Sequence, residues 1–454
     1  HYRWINESDI ATTQQPKFAT VVERLEGGRF HGFPVRVLKN GVAVSIGPET
    51  AWLKYKEIAP AIRQQFRDAN HLDKHERGEL QQRLRNARLA MFNARLKYGT
   101  EENSFVDAAR DKEKKISKEV ATLSSRLDKK LASLRKVSQA WSFEFETAEG
   151  HSVILPIEEI VQAWQPNNLG FLRTLRVYGA RWWEFLSDDP REANSAGGVF
   201  PAICGTVSMT LFMALLVAPF GVLAALYLRE YAADGPLTAT VRIAINNLAG
   251  VPSIVYGAFG IGFFCYGVGG WIDELFFSAS LLADNQPTYG TGGLLWASLT
   301  LALLTLPVVI IATEEALVAV PNSMREGSYA CGASKWQTIY RIVLPRALPG
   351  ILTGLILAMA RAAGEVAPLM LVGVKKVALD LPIDTSFPYI HPEREFMHLA
   401  YLVYDVGFQS PNSQAAKPMV FTITLLLVAL IASLNITAIY IRSHLKRRYV
   451  PQHF

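Results

Sequence analysis

Five long apolar runs dominate the second half of the chain, and they constrain its fold more than any other feature. Each run is long enough to cross a bilayer, which requires about 20 predominantly apolar residues. A buried core helix could explain any one of them, but five in series, with all charges except Arg361 and Glu365 in the joins, predict an all-α membrane domain. We place the spans near residues 199–227, 247–270, 291–312, 348–374 and 418–441.

Charge is distributed unevenly along the chain. Residues 1–198 carry 31 basic and 26 acidic side chains, whereas the rest of the 454-residue chain carries only 29 of the 86 charges. This division excludes a single soluble globular domain and a fully disordered chain, and three cysteines are too few for a disulfide framework. The modest, scattered net charge of +6 favours a membrane protein over a nucleic-acid-binding protein.

The positions of Lys and Arg predict the orientation of the spans. The tail after residue 441 is strongly basic, which predicts a cytoplasmic C-terminus. Counting back, the joins at 228–246 and 313–347 are cytoplasmic, and the joins at 271–290 and 375–417 are external, as are residues 1–198. Because five visible spans require an upstream element to export those residues, we expect a first transmembrane helix to precede His1, which gives six in total.

Residues 1–190 predict an external α+β domain, followed by the membrane domain over 191–454. Alternation with a period of two and Gly-containing turns near 18–47 and 141–156 predicts short strands that form a β base. Between them, apolar residues recur at spacings of three and four, so we expect an antiparallel coiled-coil hairpin over about residues 60–140. Its basic residues are interleaved with acidic ones, which favours a solvated face over an anion site.

Residues 169–187 combine aromatic residues with arginines. Trp and Tyr favour the boundary between membrane and water, so we expect an amphipathic helix lying at the outer interface.

The cytoplasmic join at 313–347 contains a compact, charged pattern. Pro321, followed by two short polar residues, predicts a helix start, and Gly332 predicts a sharp turn. We expect two short helices over about 322–343, the second ending before Pro345. Such a knob suits docking into a groove on a soluble partner.

This join resembles the EAA signature of importer-type ABC transporter permeases, in which a Glu is followed at fixed spacings by Gly, Ile and Leu-Pro. The matching residues are Glu326, Gly332, Ile342, Leu344 and Pro345, with Gly327 and Ser328 where the signature has two alanines. In that family the motif docks onto the ATP-binding subunit. The chain has no GxxxxGK[ST] phosphate loop, so we expect ATP and Mg to bind a separate ATPase subunit and this chain to be neither an enzyme nor a cofactor-binding protein.

Further segments, among them 246–260, 360–370 and 396–411, are similar to the PstA permeases of bacterial phosphate importers. The resemblance covers about residues 190–450. It implies the type I importer fold with a six-helix core in the bacterial inner membrane. It says nothing about the external hairpin, which many PstA proteins lack and which we expect to be a periplasmic insertion. It also implies inorganic phosphate as substrate and three partners: a homologous PstC-like permease, a PstB-like ATP-binding dimer and a periplasmic PstS-like phosphate-binding protein.

The predicted substrate path contains charges inside apolar spans. Arg361 lies within the fourth span with Glu365 four residues later, and a charge at that depth costs about 2.5–3.5 kcal/mol on insertion scales. The pair either stabilises the helix or presents Arg361 to a passing oxyanion, and PstA-like sequences carry Arg and Glu at these positions. Glu314 is either an end-of-helix carboxylate or a path residue, and Ser253 follows a predicted helix break that either kinks the helix or lines the path. Ile311 stands where some relatives have Arg, so any second cationic site lies elsewhere.

Two other functions remain open from the sequence. The chain could carry another oxyanion, such as sulfate or molybdate, or it could be a membrane-anchored sensor or scaffold that uses its external hairpin. His71 and His75 have a ligand-like spacing, but no third ligand is evident, so we expect no metal site and no catalytic residues.

Overall fold

The computed structural model describes residues 12, 14–99, 104–191, 194, 196–284, 286–378, 380–384, 389–410 and 413–449. Its helices are α1 (Pro48–Tyr98), α2 (Ser104–Gln139), α3 (Phe171–Ser187), α4 (Phe200–Leu226), α5 (Pro236–Ala249), α6 (Ser253–Phe259), α7 (Gly270–Phe276), α8 (Ser278–Asp284), α9 (Leu294–Val318), α10 (Asn322–Ala330), α11 (Lys335–Thr338), α12 (Leu344–Gly364), α13 (Ala367–Val372), α14 (Leu399–Phe408) and α15 (Ser413–Tyr449). Its strands are β1 (Thr20–Arg24), β2 (Arg29–Lys39), β3 (Val42–Ile46), β4 (Trp141–Glu146), β5 (Ser152–Pro156), β6 (Ile160–Trp164), β7 (Pro190–Arg191) and β8 (Ala196–Gly197).

The chain divides into two compact units. The first comprises the residues up to Glu184 together with Phe277–Gln286, and the second comprises Phe185–Phe276 together with the residues from Pro287 onwards.

The first unit is built on an antiparallel sheet with the strand order β5-β4-β2-β1-β6, and β3 also pairs with β2. Val22 in β1 lies opposite Phe30 in β2 and Ala163 in β6. Alternate strand residues point to one face and pack against the first turns of α1, which explains the period of two in the sequence. The centre of this core is formed by Val22, Val37, Trp52, Tyr55, Phe143 and Phe145.

Two long antiparallel helices, α1 and α2, extend from this sheet. Ala69 of α1 packs against Leu127 and Leu131 of α2, and ion pairs flank this contact, with Arg77 Nη2 2.9 Å from Asp128 Oδ1. The first arm begins at Pro48, well before residue 60, because its first turns cover the sheet. α8, from the join between the second and third spans, also packs against α1 within this unit.

The second unit has five helical segments long and apolar enough to cross a membrane in the part of the chain that the structure describes. They are Phe200–Tyr231, Ser253–Phe276, Leu294–Val318, Lys335–Gly364 and Ala416–His444. The third segment is the most buried and packs against α4 and α12, whereas almost none of the fifth is buried within the chain. The sequence therefore predicts the number of spans correctly but not all of their ends.

The second span begins later than expected. The predicted span 247–270 includes the end of α5, but the chain leaves the helix at Gly250 and re-enters one at Ser253, after Pro252 with φ −56° and ψ 136°. The predicted break therefore lies at the start of the span and not within it. The helix then runs to Phe276 through a π-helical stretch, Gly260–Gly269.

The fourth span starts and ends earlier than the predicted 348–374. α11 and α12 form one continuous helix, Lys335–Gly364, so the expectation that the second coupling helix ends before Pro345 is wrong. A π-helical turn, Ile339–Val343, directly precedes Pro345, and its wider hydrogen-bonding pattern accommodates the missing proline N–H. The helix then ends at Gly364, because Glu365 is extended with ψ 139°, and α13 follows as a separate short helix.

Small residues set the register between α9 and α12. A Cβ added at Gly350 would lie 2.5 Å from the Cβ of Ala316, and one added at Gly354 would lie 2.4 Å from the Cβ of Ala312. This four-residue repeat of small side chains lets the two backbones approach closely, as in many membrane helix pairs.

Candidate functional site

Arg361 and Glu365 form an ion pair where α12 ends. Arg361 Nε lies 3.6 Å from Glu365 Oε1, and their side chains are 42% and 21% exposed. Glu365 is no longer helical, but its N–H still bonds to the Ala362 carbonyl at 3.2 Å, which holds the carboxylate beside the last turn. The sequence-predicted pair is therefore present, formed across a helix end.

The guanidinium of Arg361 points away from the packed interior of the chain. Ala358 and Ala362, on the inner face of α12, are fully buried, whereas Arg361 continues an exposed stripe with Leu357 and Thr353. A charge on such a stripe faces lipid, a partner chain or a polar path, and lipid is the most costly of the three.

Tyr256 of the second span lies within range of the charge of Arg361. Its ring is buried and its hydroxyl donates to the Leu248 carbonyl at 2.6 Å, across the break that precedes α6. α6 can lie close to α13 because Gly257 faces the backbone of Pro368, where an added Cβ would be 2.7 Å from Pro368 Cα.

Ser253 begins α6 and is half-buried; in the described part of the chain no hydrogen bond joins it to Arg361. The sequence analysis missed Tyr256, although its place three residues after Ser253 puts the two on one helical face.

Glu314 belongs to a different ion pair. Its Oε1 lies 3.6 Å from Nε of Arg242 in α5, and Arg242 Nη2 also donates to the Leu228 carbonyl at 3.2 Å. The contacts between α9 and α12 put Glu314 level with residue 352, so Arg361 lies nine residues, or about 13 Å, further along the axis. The structure therefore does not bring Glu314 together with Arg361 and Glu365.

The predicted coupling knob consists of α10, a tight turn and α11. Gly332 has a φ of +81°, which only glycine adopts readily, and it reverses the chain as the sequence predicts. The expected side-chain cap at the start of α10 is absent from the described structure, because Pro321 occupies the cap position. The cap lies at α11 instead, where Ser334 and Gln337 form a reciprocal capping box with bonds of 3.3 and 2.9 Å.

Ser328, one of the two departures from the EAA signature, links the helices of the knob. Its hydroxyl is buried and lies 2.8 Å from that of Thr338. An alanine would fit here but could not make this bond. At the other departure, Gly327, an added Cβ would meet no atom within 4 Å, so the position is open to a partner.

Arg325 fastens α10 to the ends of two spans. Its Nη2 lies 3.1 Å from Glu230 Oε1, just after α4, and donates to the Leu317 carbonyl at 2.8 Å, while its Nη1 donates to the Val320 carbonyl at 2.6 Å. The side chains of Arg325 and Glu230 are only 11% and 10% exposed. The guanidinium thus donates to carbonyls at the end of α9 and ties the knob to α4.

The outer surface of the knob is aromatic. Tyr329, Trp336 and Tyr340 are 42%, 59% and 62% exposed, and the last two rings stack with centroids 6.2 Å apart. Glu326 is also exposed, whereas Ile342, Leu344 and Pro345 are half-buried and support the surface from below. Exposed Trp and Tyr are typical of residues that dominate a protein interface. These three residues were not predicted from the sequence, because the EAA signature does not specify them.

Comparisons with known proteins identify the family of the membrane-spanning part of the chain. The family of binding-protein-dependent transport system inner membrane components matches residues 217–450. Phosphate transport system permease protein PstA 1 of Mycobacterium tuberculosis (strain CDC 1551 / Oshkosh) is 34% identical over 267 residues, which are 59% of this chain and 78% of that protein. PstA of Mycobacterium leprae (strain TN) is 40% identical over 196 residues, 43% of this chain and 58% of that protein.

PstA of Yersinia pestis is 32% identical over 226 residues, 48% of this chain and 70% of that protein. Among solved structures, the inward-facing MetNI methionine ABC transporter aligns with 59% of this chain and 99% of its own, at 20% identity and a TM-score of 0.38. The family match extends over more than half of the chain and includes four of the five membrane-length helices completely. The chain is therefore a multi-pass membrane protein that belongs to the inner-membrane components of binding-protein-dependent transport systems, and among them to the PstA type of permease.

Proposed function

We propose that this chain is the membrane-spanning permease subunit of an ATP-driven importer of inorganic phosphate, and that it forms half of the translocation path. The observation that carries the proposal is Arg361, whose guanidinium points out of the chain from an apolar helix beside the carboxylate of Glu365. A guanidinium offers two parallel N–H donors to a tetrahedral oxyanion. One such group, already partly neutralised by Glu365, can bind phosphate and still release it, as conduction requires.

The partners follow from the two exposed surfaces. A homologous PstC-like permease would cover the stripe that contains Arg361 and close the path. A PstB-like subunit, which would bind ATP and Mg, would receive the knob through Glu326 and the exposed aromatic residues. A periplasmic PstS-like protein would deliver phosphate. In this assembly the chain supplies a path and a coupling surface but catalyses no bond-making step.

The proposed orientation has residues 1–198 in the periplasm and the C-terminus in the cytoplasm of a bacterial cell. The absence of Lys and Arg from the join at 271–290 supports it, because external joins carry fewer basic residues than cytoplasmic ones. The third span then crosses to the other side, where the knob follows it. The basic tail after residue 441 supports a cytoplasmic end for the last span.

Uptake of radiolabelled phosphate in cells that lack their own phosphate importer tests the proposal, with the full chain produced beside its partner subunits. We expect Arg361→Ala to lower uptake by about tenfold or more, because it removes charge-assisted hydrogen bonds worth about 1.5–3 kcal/mol. Leu357→Ala, one turn earlier on the same exposed stripe, is the matched control for a lost contact with the partner permease and should lower uptake far less than Arg361→Ala does.

Labelled sulfate and molybdate, measured in the same cells, separate phosphate from the other oxyanions. Uptake of sulfate or molybdate but not of phosphate would overturn the proposed substrate. Uptake unaffected by Arg361→Ala, with the variant chain present in the membrane at a normal level, would overturn the assigned path.

A further inference from the structure

α3 presents a continuous apolar surface to its surroundings. At 100° per residue, its large exposed apolar residues share an arc of about 140°. The most exposed of them, here called the α3 apolar face, are Phe171 (79%), Leu172 (79%), Leu175 (51%), Tyr178 (62%) and Trp183 (72%). Soluble surfaces carry single exposed apolar residues, but a contiguous face of this size marks an interaction site.

The opposite side of α3 is already packed. Arg181 pairs with Glu23 of β1, and its guanidinium lies 4.4 Å from the ring centroid of Trp164 in β6. Gln162 of β6 donates to Glu184 at 2.8 Å. These polar contacts fix the rotation of the helix, so the apolar face is turned away from the sheet.

The end of α3 is tied to the beginning of the first span. Val199 N donates to the Phe185 carbonyl at 2.9 Å, and Phe200 N donates to the Asp188 carbonyl at 3.3 Å. Gly198 makes this contact possible, because a Cβ there would lie 2.2 Å from the Asp188 carbonyl oxygen. Since the first membrane-length helix begins at Phe200, the last turn of α3 lies where the chain enters the bilayer.

The charges beside the face identify what covers it. Arg173 and Arg176 are exposed and lie together along one border of the apolar arc. Arginine beside an aromatic face extends its charged end to lipid headgroups while the rings enter the acyl boundary. We propose that the α3 apolar face binds the membrane surface, with Arg173 and Arg176 selecting anionic phospholipid. This lipid site is separate from the substrate path and does not depend on the identity of the substrate.

Spin labelling of the full chain in lipid nanodiscs tests this proposal. Cys204, Cys265 and Cys331 are first replaced by serine or alanine, and a nitroxide is attached at Leu175→Cys, in the centre of the face. Ala180→Cys, exposed on the same helix but outside the apolar arc, is the matched control. We expect the label at 175 to be relaxed several-fold more by oxygen than by a water-soluble nickel chelate, and the label at 180 to show the opposite preference.

A comparison of two lipid compositions tests whether Arg173 and Arg176 select anionic phospholipid. In nanodiscs of phosphatidylcholine with phosphatidylglycerol, the label at 175 should lie deeper than in phosphatidylcholine alone, and the double variant Arg173→Gln, Arg176→Gln should lose this difference. Equal access of the nickel chelate to both positions would overturn the proposal. A label at 175 shielded from both reagents would also overturn it, because a protein surface, such as a second copy or a companion subunit, would then cover the face.

Discussion

Three arginines of the membrane unit have different surroundings, and these decide what each can do. Arg325 is almost buried and its ion pair and hydrogen bonds all stay within the chain, so it is a structural link. Arg242 holds Glu314 beside the end of α9. Arg361 alone among the three points out of the chain with one internal partner, which leaves donors for a substrate. The sequence shows that these charges lie near apolar spans, but only the contacts separate their roles.

His398 provides a pH-dependent prediction at the scale of one residue. Its side chain is fully buried just before α14, and within the described structure neither ring nitrogen has a hydrogen-bond partner. Burial lowers the pKa of His398 from 6.5 to about 3. Below pH 6.5 the imidazole of His398 binds a proton in the unfolded chain but stays neutral in the folded chain. The free energy of unfolding should therefore fall as the pH drops from about 6.5 towards 3.

Because of His398, the free energy of unfolding should be about 2 kcal/mol lower at pH 5 than at pH 7. His398→Leu should remove that part of the loss, and the measurement is the midpoint of unfolding in detergent at the two pH values. If wild type and variant lose the same amount between pH 7 and pH 5, the burial of a neutral imidazole is not responsible.

At the scale of elements, the contact between α9 and α12 depends on the absence of side chains. Gly354→Ala would put a methyl group 2.4 Å from the Cβ of Ala312, so the helices must separate or bend. We expect a loss of about 1–3 kcal/mol, seen as a lower midpoint of unfolding in detergent. Gly364→Ala, at the open end of the same helix, is the matched control and should not lower the midpoint. Equal midpoints for the two variants would contradict the close packing described here.

The link from α10 to α4 leads to a prediction about coupling. Arg325→Ala leaves Glu230 without its nearly buried partner and removes the guanidinium donors from the carbonyls of Leu317 and Val320. The free energy that stabilises the attachment of the knob to the spans should fall by about 3–5 kcal/mol. Because the knob is then attached loosely, we expect phosphate uptake to fall at least tenfold while the ATPase of the assembled complex remains active.

Arg229→Ala, an exposed arginine beside Glu230, is the control and should retain uptake. The measurement compares uptake with ATP hydrolysis in proteoliposomes. A parallel loss of both activities in Arg325→Ala would indicate failed assembly and would contradict a role in coupling.

The sequence predicts elements better than their ends. Five spans, the Gly332 turn and the Arg361–Glu365 pair follow from local composition and spacing, because hydrophobicity and backbone freedom are properties of single residues. The continuous helix through Pro345 could not be foreseen, since the π turn before it is stabilised by the packing of Ile339 and Val343. β6 was missed because its short strand exists only by pairing with β1, which is about 140 residues away in the chain.

The strongest unpredicted feature of the candidate site is the aromatic surface of the knob. Trp336 and Tyr340 lie between the fixed positions of the signature, so the motif carries no information about them. Which face of this helix is exposed depends on its rotation about its own axis. The burial of Thr338 and Ile339 fixes that rotation and leaves Trp336 and Tyr340 on the outside.

At the scale of the whole molecule, each unit has its own hydrophobic core. The core around Phe143 and Tyr55 lies wholly in the first unit, and the core around Met209, Leu301 and Ala358 lies wholly in the second. Neither cluster includes a residue from the distal part of the α1–α2 hairpin. Between the two arms there lies a groove of about 570 Å³, lined among others by Leu80, Ile116 and Leu123.

Shortening the hairpin therefore tests whether this molecule is a conduit or a sensor. Replacing residues 81–123 by a short glycine-serine turn would join the arms beside Leu80 and keep the contact of Ala69 with Leu127 and Leu131. Since both cores remain, we expect normal insertion and unchanged phosphate uptake, and Arg361→Ala in the shortened chain should still lower uptake by about tenfold or more. The measurement is labelled phosphate uptake, normalised to the amount of chain in the membrane. Two results would show that the hairpin carries the function and that the chain is not a conduit. The shortened chain could insert normally but lose uptake, or it could lose a response to phosphate that Arg361→Ala leaves intact.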